Sequence, residues 1–400
     1  MAGTKSDTMT ELIRQEGELH QAMRRWRRDL HAHPETAFEE HRTAAVVAEL
    51  LESFGLDVDR GMATTGVVAT LQGNQAGSGC IGLRADMDAL NLQELNTFTH
   101  CSTHDGKMHG CGHDGHTAML LGAAKYLSEH RDFSGTVVFI FQPAEEGEAG
   151  ARVMCEEGLF ERFPVDAVYG MHNWPGLDVG QFAVHQGPVM AAMDVFDIQI
   201  TGKGCHGGMP HMGIDPVVVA GQLISSLQSI VGRTLSPLES GVVSVTQMHG
   251  GDAYNVVPDS VTLSGTCRTF TAEVQSQIET RIRHHVENIC RAYGAEGELD
   301  YRSIYPSTIN VPEHASICAD VSASLVGEEA VQLNLPPSMG AEDFAFMLKE
   351  RPGAYIWIGN GTSEGGRGLH NPYYDFNDDI LPLGASYWVT LVQSQLPLRD

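Results

Sequence analysis

The sequence predicts an α/β protein in which a mostly parallel sheet domain carries an inserted ferredoxin-like α+β domain. Near-continuous apolar segments of strand length alternate with helical segments in the first half and recur near the C-terminus. Between about residues 190 and 307 the strands instead alternate apolar and polar residues. A chain of 400 residues is also too long for one ordinary core, so two domains are expected.

Four apolar segments are typical of strands that are covered on both faces of a sheet. They are Cys80–Ala85, Val137–Gln142, Val165–Met171 and Ala354–Ile358. Helices are predicted between Glu11 and Phe54 and, between the first two strands, over His116–His130. Because strands that alternate with helices indicate a parallel sheet, the first domain is predicted to comprise residues 1–189 and 308–400.

The segment 190–307 predicts the order strand, helix, strand, strand, helix, strand, which is the ferredoxin-like motif. Its predicted strands and helices are, in chain order, Asp194–Thr201, Pro216–Arg233, Val242–Met248, Val257–Arg268, Ala272–Tyr293 and Glu298–Ile304.

Composition excludes several classes of protein. The formal net charge of −26 argues against nucleic-acid binding, which requires a basic surface. No apolar run approaches the roughly 20 residues that span a bilayer. Residues Met1–Glu18 are polar and lack an export signal, so a cytoplasmic location is expected. The eight cysteines include no CxxC pair, which disfavours a disulfide framework. Four arginines at positions 24, 25, 27 and 28 are interpreted as a solvated helix face.

Candidate metal ligands follow each of the four apolar strands. These side chains are Asp86, Asp88, Glu145, Glu146, His172 and His370. Ligands bind beyond the carboxyl ends of the strands in sheets of this kind, so the side chains are expected to meet at one edge.

A glycine-rich loop, Met108–His116, adds a thiol and an imidazole near the start of a helix. Thiolate, imidazole and carboxylate together favour Zn, Mn, Co or Ni over Mg or Ca. The five candidate ligands are Cys111, His113, Glu146, His172 and His370. Because five exceeds the four ligands of a structural zinc site, the sequence predicts two divalent ions that activate a shared water.

Glu145 and Glu146 are adjacent, and their spacing leaves open which one is a ligand and which one transfers a proton. Each motif by itself also has an ordinary structural explanation, such as a capped turn for the glycine-rich loop or a solvated helix start for the two glutamates. Their coincidence at four strand ends favours the metal site.

Ten ordered motifs, from about Arg28 to Asp378, resemble the metallopeptidase-like amidohydrolases. That family includes hippurate hydrolase, bacterial N-acyl-amino-acid amidohydrolases (aminoacylases) and plant indole-acetyl-amino-acid hydrolases. The motifs are LHAHPE (30–35), RADMDAL (84–90), MHGCGHDGH (108–116), QPAEEGEAGA (142–151), GMHNWPG (170–176), GMPHMGIDP (208–216), NVVPD (255–259), GTCRTF (265–270), AEDFAFM (341–347) and LHNPYYDFND (369–378).

The resemblance implies a catalytic domain of the zinc-exopeptidase type, with the five ligands named above and Glu145 as the general base. It implies that the inserted domain forms the contact of a homodimer or homotetramer, and that His206 assists in binding substrate. Asn255 and Arg268 resemble groups that hold the substrate carboxylate, and Asp86 is expected to orient a ligand histidine.

Three further features do not follow the family pattern or do not support a function. Cys205 stands before His206, where small uncharged residues usually stand. His100 and His104 are expected at the surface. Residues 202–207 match G-x-G-x-x-G, but no helix opens there, so a nucleotide site is disfavoured.

The predicted reaction is hydrolysis of the amide bond of an N-acyl amino acid to a carboxylic acid and a free amino acid. The nearest alternative is a metallo-dipeptidase or carboxypeptidase, whose substrate carries a free amine. A catalytically silent binding protein would have a damaged site, whereas every expected ligand is present here. An NAD-dependent oxidoreductase would depend on the G-x-G-x-x-G match alone.

Overall fold

The computed structural model describes residues 17–398. The chain divides into two compact units: the first comprises the residues up to Val189, Ile309–Pro336 and the residues from Asp343 onward, and the second comprises Met190–Thr308 and Pro337–Glu342. Within the second unit, the N–H of Ala191 donates to the carbonyl groups of Ser338 and Gly340, which attaches the short segment. Residues 11–16 of the predicted N-terminal helical region lie outside the described residues.

The strands, in chain order, are β1 Asp57–Met62, β2 Gly66–Gln72, β3 Gln75–Asp86, β4 Ser134–Gln142, β5 Ala167–Pro175, β6 Phe182–Val184, β7 Pro188–Met190, β8 Ala192–Thr201, β9 Cys205–His206, β10 Gly241–His249, β11 Val256–Val257, β12 Ser260–Thr269, β13 Glu296–Tyr305, β14 Thr308–Ile309, β15 Val331–Gln332 and β16 Gly353–Gly361. The α-helices are α1 Glu18–Ala32, α2 His41–Ser53, α3 His113–Glu129, α4 Gly150–Glu156, α5 Leu159–Arg162, α6 Pro216–Ser229, α7 Ala272–Ala292, α8 Pro312–Val326, α9 Phe344–Glu350 and α10 Leu381–Gln395.

The first unit is built on an eight-stranded sheet in the order β1-β2-β4-β3-β5-β16-β6-β15. The four central strands β4, β3, β5 and β16 run parallel to one another, so their carboxyl ends share one edge. The apolar residues of β4 from Val137 onward are buried on both faces, as expected for a central strand. Helix α3 is buried continuously from His113 to Ala124 and packs against α1 and α10.

The second unit has a four-stranded antiparallel sheet in the order β10-β12-β8-β13. Buried and partly buried residues alternate along β8 and β12, which places one face of the sheet against the core. Helix α7 buries Val274, Ile278, Ile282 and Val286 at a four-residue spacing against that core. Helix α6 begins at Pro216, with the side chain of Asp215 capping it, and ends four residues before the predicted Arg233 because a wider turn follows.

The predicted fold class is therefore confirmed, and the strand order of the second unit is that of the ferredoxin-like motif. Among residues 17–398, no helix combines the length and the apolar character needed to cross a bilayer.

Candidate metal centre

The five predicted ligand side chains lie together in the first unit, in two groups that share Cys111. One group is Cys111, His113 and His172; the other is Cys111, Glu146 and His370, and the ligand atoms of each group lie within 4.8 Å of one another. Cys111 Sγ is 3.4 Å from Nε2 of His172, and Oε1 of Glu146 is 3.1 Å from Nε2 of His370. A shared ligand between two groups is an arrangement suited to a pair of ions.

The loop that carries Cys111 depends on Gly112, whose φ of 95° lies in the left-handed region. A Cβ atom there would stand 2.3 Å from Nδ2 of Asn173 and 2.4 Å from the hydroxyl oxygen of Tyr374. The same Nδ2 donates to the carbonyl of Cys111 at 2.7 Å, and the Tyr374 hydroxyl donates to Oδ1 of Asn173. Only glycine permits this close contact, which fixes the backbone of Cys111 immediately before α3 begins at His113.

Hydrogen bonds at Nδ1 orient two of the histidines. His113 donates from Nδ1 to Oδ1 of Asp88 at 3.2 Å, and His172 donates from Nδ1 to the carbonyl of Asn173 at 2.6 Å. In a neutral imidazole the proton at Nδ1 leaves a lone pair at Nε2. Nε2 of His172 is therefore available as a ligand. Burial opposes the charged form of His113, but Asp86 and Asp88 outweigh it and raise its pKa well above the usual value, so Nε2 of His113 would become a ligand when a cation displaces its proton.

The structure contradicts the expectation that Asp86 orients a ligand histidine, because Asp88 makes that contact instead. Asp86 accepts from Nδ1 of His116 at 2.6 Å, while Nε2 of His116 accepts the N–H of Asn173. His116 is thus fully engaged, and it is Asp88 that bonds His113. Asp86 lies 3.9 Å from Nε2 of His113. Burial opposes ionisation of Asp86, but the nearby His113 and Arg84 outweigh it and hold its pKa well below the usual range.

Two turns present the remaining ligands in strained backbone. Ala144, which precedes the two glutamates, has φ 55°, and His370 has φ 58°. Asp88 accepts the N–H groups of Glu145 and Glu146 with its two oxygens, at 3.0 and 2.9 Å. The N–H of His370 donates to the carbonyl of Gly110 at 2.8 Å, which joins this turn to the Cys111 loop.

The chemistry of the cluster fits a cation. Among the described residues, Nε2 of His113 is buried without a hydrogen-bond partner. Hydrogen bonds to the thiol of Cys111 and the carboxylate of Glu146 raise the pKa of His370 to about 10. Burial lowers the pKa of His172, which favours its neutral, ligand-competent form. Soft, imidazole and carboxylate donors in one buried volume suit a divalent transition metal.

The other predicted site residues belong to the second unit. His206 lies in β9, which pairs with β11, and its Nδ1 accepts the N–H of Gly208 at 3.0 Å. The carbonyl of Asn255 accepts the N–H of Gly207. Cys205, His206 and Asn255 line a surface cavity of about 970 Å³. Arg268 is in β12, and its Nη1 is buried without a hydrogen-bond partner among residues 17–398.

Two predictions about the surface were partly wrong. His104 is exposed, as predicted, but the side chain of His100 is only 10% exposed and bonds Asp375. Among the arginines, Arg25 is exposed whereas Arg27 is completely buried, so the cluster is not simply a solvated helix face.

The sequence profile of Peptidase family M20/M25/M40 matches residues 82–394. The chain belongs to this family. The predicted resemblance is therefore confirmed.

Several relatives resemble this chain over almost its whole length. An N-acetylcysteine deacetylase of Bacillus subtilis is 40% identical, covering 93% of this chain and 96% of that protein. A hippurate hydrolase of Campylobacter jejuni is 39% identical, covering 92% and 95%. The crystal structure of a Bacillus subtilis dinuclear metal-binding peptidase from the M20 family is 37% identical and covers 94% of this chain and 97% of that chain, with a TM-score of 0.82.

Sequence reasoning did not identify the roles of several residues that build the site of this M20/M25/M40 chain. Asp88 follows Asp86 by two residues, a spacing that places both side chains on the same side, and only the fold shows which one reaches His113. Asn173 directly follows the predicted ligand His172. The spacing in the sequence did not show that its side chain donates to the carbonyl of Cys111. Asp343 accepts from Arg84, Gln142 and the backbone of Ala151, and nothing in its local sequence indicates this role.

A buried histidine next to the site gives a stability prediction. Burial opposes the charged form of His31, but hydrogen bonds to Asp114 at 2.8 Å and Glu94 at 3.2 Å outweigh it and raise its pKa from 6.5 to about 9. Since the folded pKa exceeds the unfolded one, the stabilisation is complete below pH 6.5 and is lost as pH rises through about 9. It amounts to on the order of 3 kcal/mol.

Urea unfolding of the metal-free protein across this pH range measures the effect. His31→Gln is expected to lower the free energy of unfolding most at the acidic end and to remove this component of the pH dependence. His33→Gln, at a more exposed neighbouring histidine, is the matched control and should keep it. If the free energy of unfolding of His31→Gln depends on pH in the same way as that of the unsubstituted protein, the assignment of this pH dependence to His31 is wrong.

Proposed function

We propose that this chain is a metal-dependent amidohydrolase that cleaves the amide bond of N-acyl amino acids and releases a carboxylic acid and a free amino acid. The observation that carries the proposal is the convergence of thiol, imidazole and carboxylate ligands in two groups that share Cys111. The names of the relatives, an N-acetylcysteine deacetylase and a hippurate hydrolase, support an N-acyl amino acid as the substrate class.

Cys111, His113, Glu146, His172 and His370 would hold two divalent ions, for which Zn, Mn, Co and Ni are the candidates. When bound, such a pair acidifies water and polarises an acyl carbonyl. The protein contributes orientation: Asp88 fixes His113 and the backbone of both glutamates, and Asn173 fixes the Cys111 loop.

Glu145 is the proposed general base. Its side chain is buried, and its backbone is held by Asp88 next to the ligand Glu146. The Glu145 carboxylate takes a proton from the attacking water as the hydroxyl oxygen bonds to the acyl carbon. It then delivers that proton to the amide nitrogen as the C–N bond breaks, so the amino acid leaves as an amine.

Three residues of the second unit are proposed to bind substrate. Because Nδ1 of His206 accepts the N–H of Gly208, a neutral His206 carries its proton on Nε2, where it can donate to the oxygen that develops negative charge. Arg268 offers a buried Nη1 that has no hydrogen-bond partner among residues 17–398, which suits the substrate carboxylate. Asn255 is proposed to bind the same carboxylate.

The inserted unit is also proposed to form a homodimer contact. Strand β10 lies at the edge of its sheet and ends in exposed residues, and an exposed edge offers unpaired backbone groups to a second strand. Met248 on this strand is exposed as well.

A metal and substrate assay tests the proposed function. Metal-free protein given Zn, Mn, Co or Ni is expected to take up two ions per chain by elemental analysis. The loaded protein should hydrolyse hippurate or N-acetyl-methionine in preference to a free dipeptide. Preference for the dipeptide would establish the metallo-dipeptidase alternative, and a folded protein that takes up none of the four metals would refute both.

Glu145→Gln is expected to keep both ions and to lose about 10²–10⁴-fold in kcat, because the amide cannot accept the proton of water. Elemental analysis and steady-state kinetics measure the two properties. Glu148→Gln, at an exposed glutamate of the same turn, is the control and should match the unsubstituted protein. If Glu145→Gln retains nearly full activity, the base assignment is wrong.

His206→Ala is expected to lower kcat by about 10²–10³-fold with a smaller change in KM, because the lost donor acts mainly on the developing oxyanion. His211→Ala, at an exposed histidine five positions further along the chain, provides the comparison. A change confined to KM would show that His206 serves binding alone.

A further inference from the structure

The basic cluster of α1 has a role that its sequence did not indicate. Arg24, Arg27, Arg28 and His31 recur at spacings of three and four residues, so they lie on one face of the helix. Arg24 and Arg28 are partly exposed, but Arg27 and His31 are completely buried. A fully buried guanidinium requires acidic partners, and those partners identify its role.

The Arg27 guanidinium contacts acidic groups from two distant segments. Its Nη1 donates to Asp375 at 2.8 Å and its Nε donates to Asp378 at 2.7 Å. Nη1 also lies 3.6 Å from Oδ2 of Asp114, which accepts from His31 as well. Asp114 directly follows His113, and Asp375 lies in the segment that begins with His370. One side chain thus bridges the two segments that carry ligands of the two groups.

The geometry of this bridge depends on arginine. A guanidinium is planar and presents its donors in fixed directions, whereas an ammonium group is a single point of charge on a flexible stem. Arginine can therefore set the separation of two carboxylates, which lysine cannot. Stability alone does not account for these buried charges, because buried ion pairs are often no more stabilising than apolar residues of similar volume.

The ligand His370 particularly needs such an anchor. Its backbone has φ 58°, a conformation that costs a non-glycine residue about 1–3 kcal/mol and persists only when the surroundings impose it. The N–H of His370 bonds Gly110 on one side, and Asp375, held by Arg27 and His100, fixes the chain on the other.

We propose that Arg27 is a positioning residue that sets the spacing between the His113 segment and the His370 segment, and with it the affinity of both metal ions. This inference rests on the proposed function, since it assumes that both ligand groups bind metal. Arg27 acts through Asp114 and Asp375 and does not touch a reacting atom.

Metal titration of the metal-free proteins tests the proposal. Arg27→Lys is expected to bind Mn²⁺ about 10- to 100-fold more weakly at both sites by calorimetry, the loss typical when a partner of a metal ligand is removed. The absorption bands of the Co²⁺-loaded protein should also shift, because the ligand geometry changes. Arg24→Gln is the matched control: it removes a contact to Asp378 but none to Asp114 or Asp375, and should match the unsubstituted protein.

Asp375→Asn is a second, milder variant, since its side chain is 33% exposed and Arg27 retains Asp378. It weakens the bridge only on the His370 side and leaves the contact with Asp114 unchanged, so it should weaken one of the two Mn²⁺ binding steps and spare the other. Urea unfolding of each protein separates a loss of folded protein from a loss of affinity in the folded state.

The outcomes distinguish the two proposals. If the unsubstituted protein binds no metal, the proposed function fails. If it binds two ions and folded Arg27→Lys or Asp375→Asn binds them within about twofold with an unchanged Co²⁺ spectrum, the positioning role is wrong and the proposed function stands.

Discussion

The ligand cluster places a buried imidazole nitrogen where the described part of the chain supplies no hydrogen-bond partner to it. This atom is Nε2 of His113, and an unpaired buried polar atom costs about 1–3 kcal/mol. Moving the His113 side chain to find a partner would relieve the cost. The surrounding contacts prevent that movement, so the fold holds the cluster in a form for which a bound cation is the fitting partner.

A layer of buried ion pairs provides this rigidity. Arg84 donates to Asp86, Gln142 and Asp343 at the ends of the central strands, and all four side chains are fully or almost fully buried. Buried charges are tolerated only when they are paired and hydrogen-bonded, and here each carboxylate has several donors. The pairs join the ends of β3 and β4 to the start of α9, so the edge that presents the ligands cannot easily deform.

The sequence predicted what depends on local pattern. The apolar runs that became β3, β4, β5 and β16 identified the sheet, and the polar residues after them identified the ligand edge. It could not predict contacts between segments far apart in the chain. Arg27 was interpreted as solvent-exposed because its acidic partners lie 87 and about 350 positions away. The choice between Asp86 and Asp88 likewise depends on where α3 places His113 and His116, which neither spacing nor composition encodes.

The two strained residues of the site show how local cost and long-range contact are connected. Ala144 and His370 adopt left-handed backbone although neither is glycine, and each lies within two residues of a ligand or is one itself. In both cases the strained residue donates its own N–H to a fixed acceptor, Ala144 to the buried carboxylate of Glu40 and His370 to the carbonyl of Gly110. A glycine would adopt either conformation at no steric cost, but it would supply no imidazole at position 370. The strain at His370 is therefore a consequence of requiring a ligand at a turn, and the contacts that hold the turn belong to the metal centre as much as the ligands do.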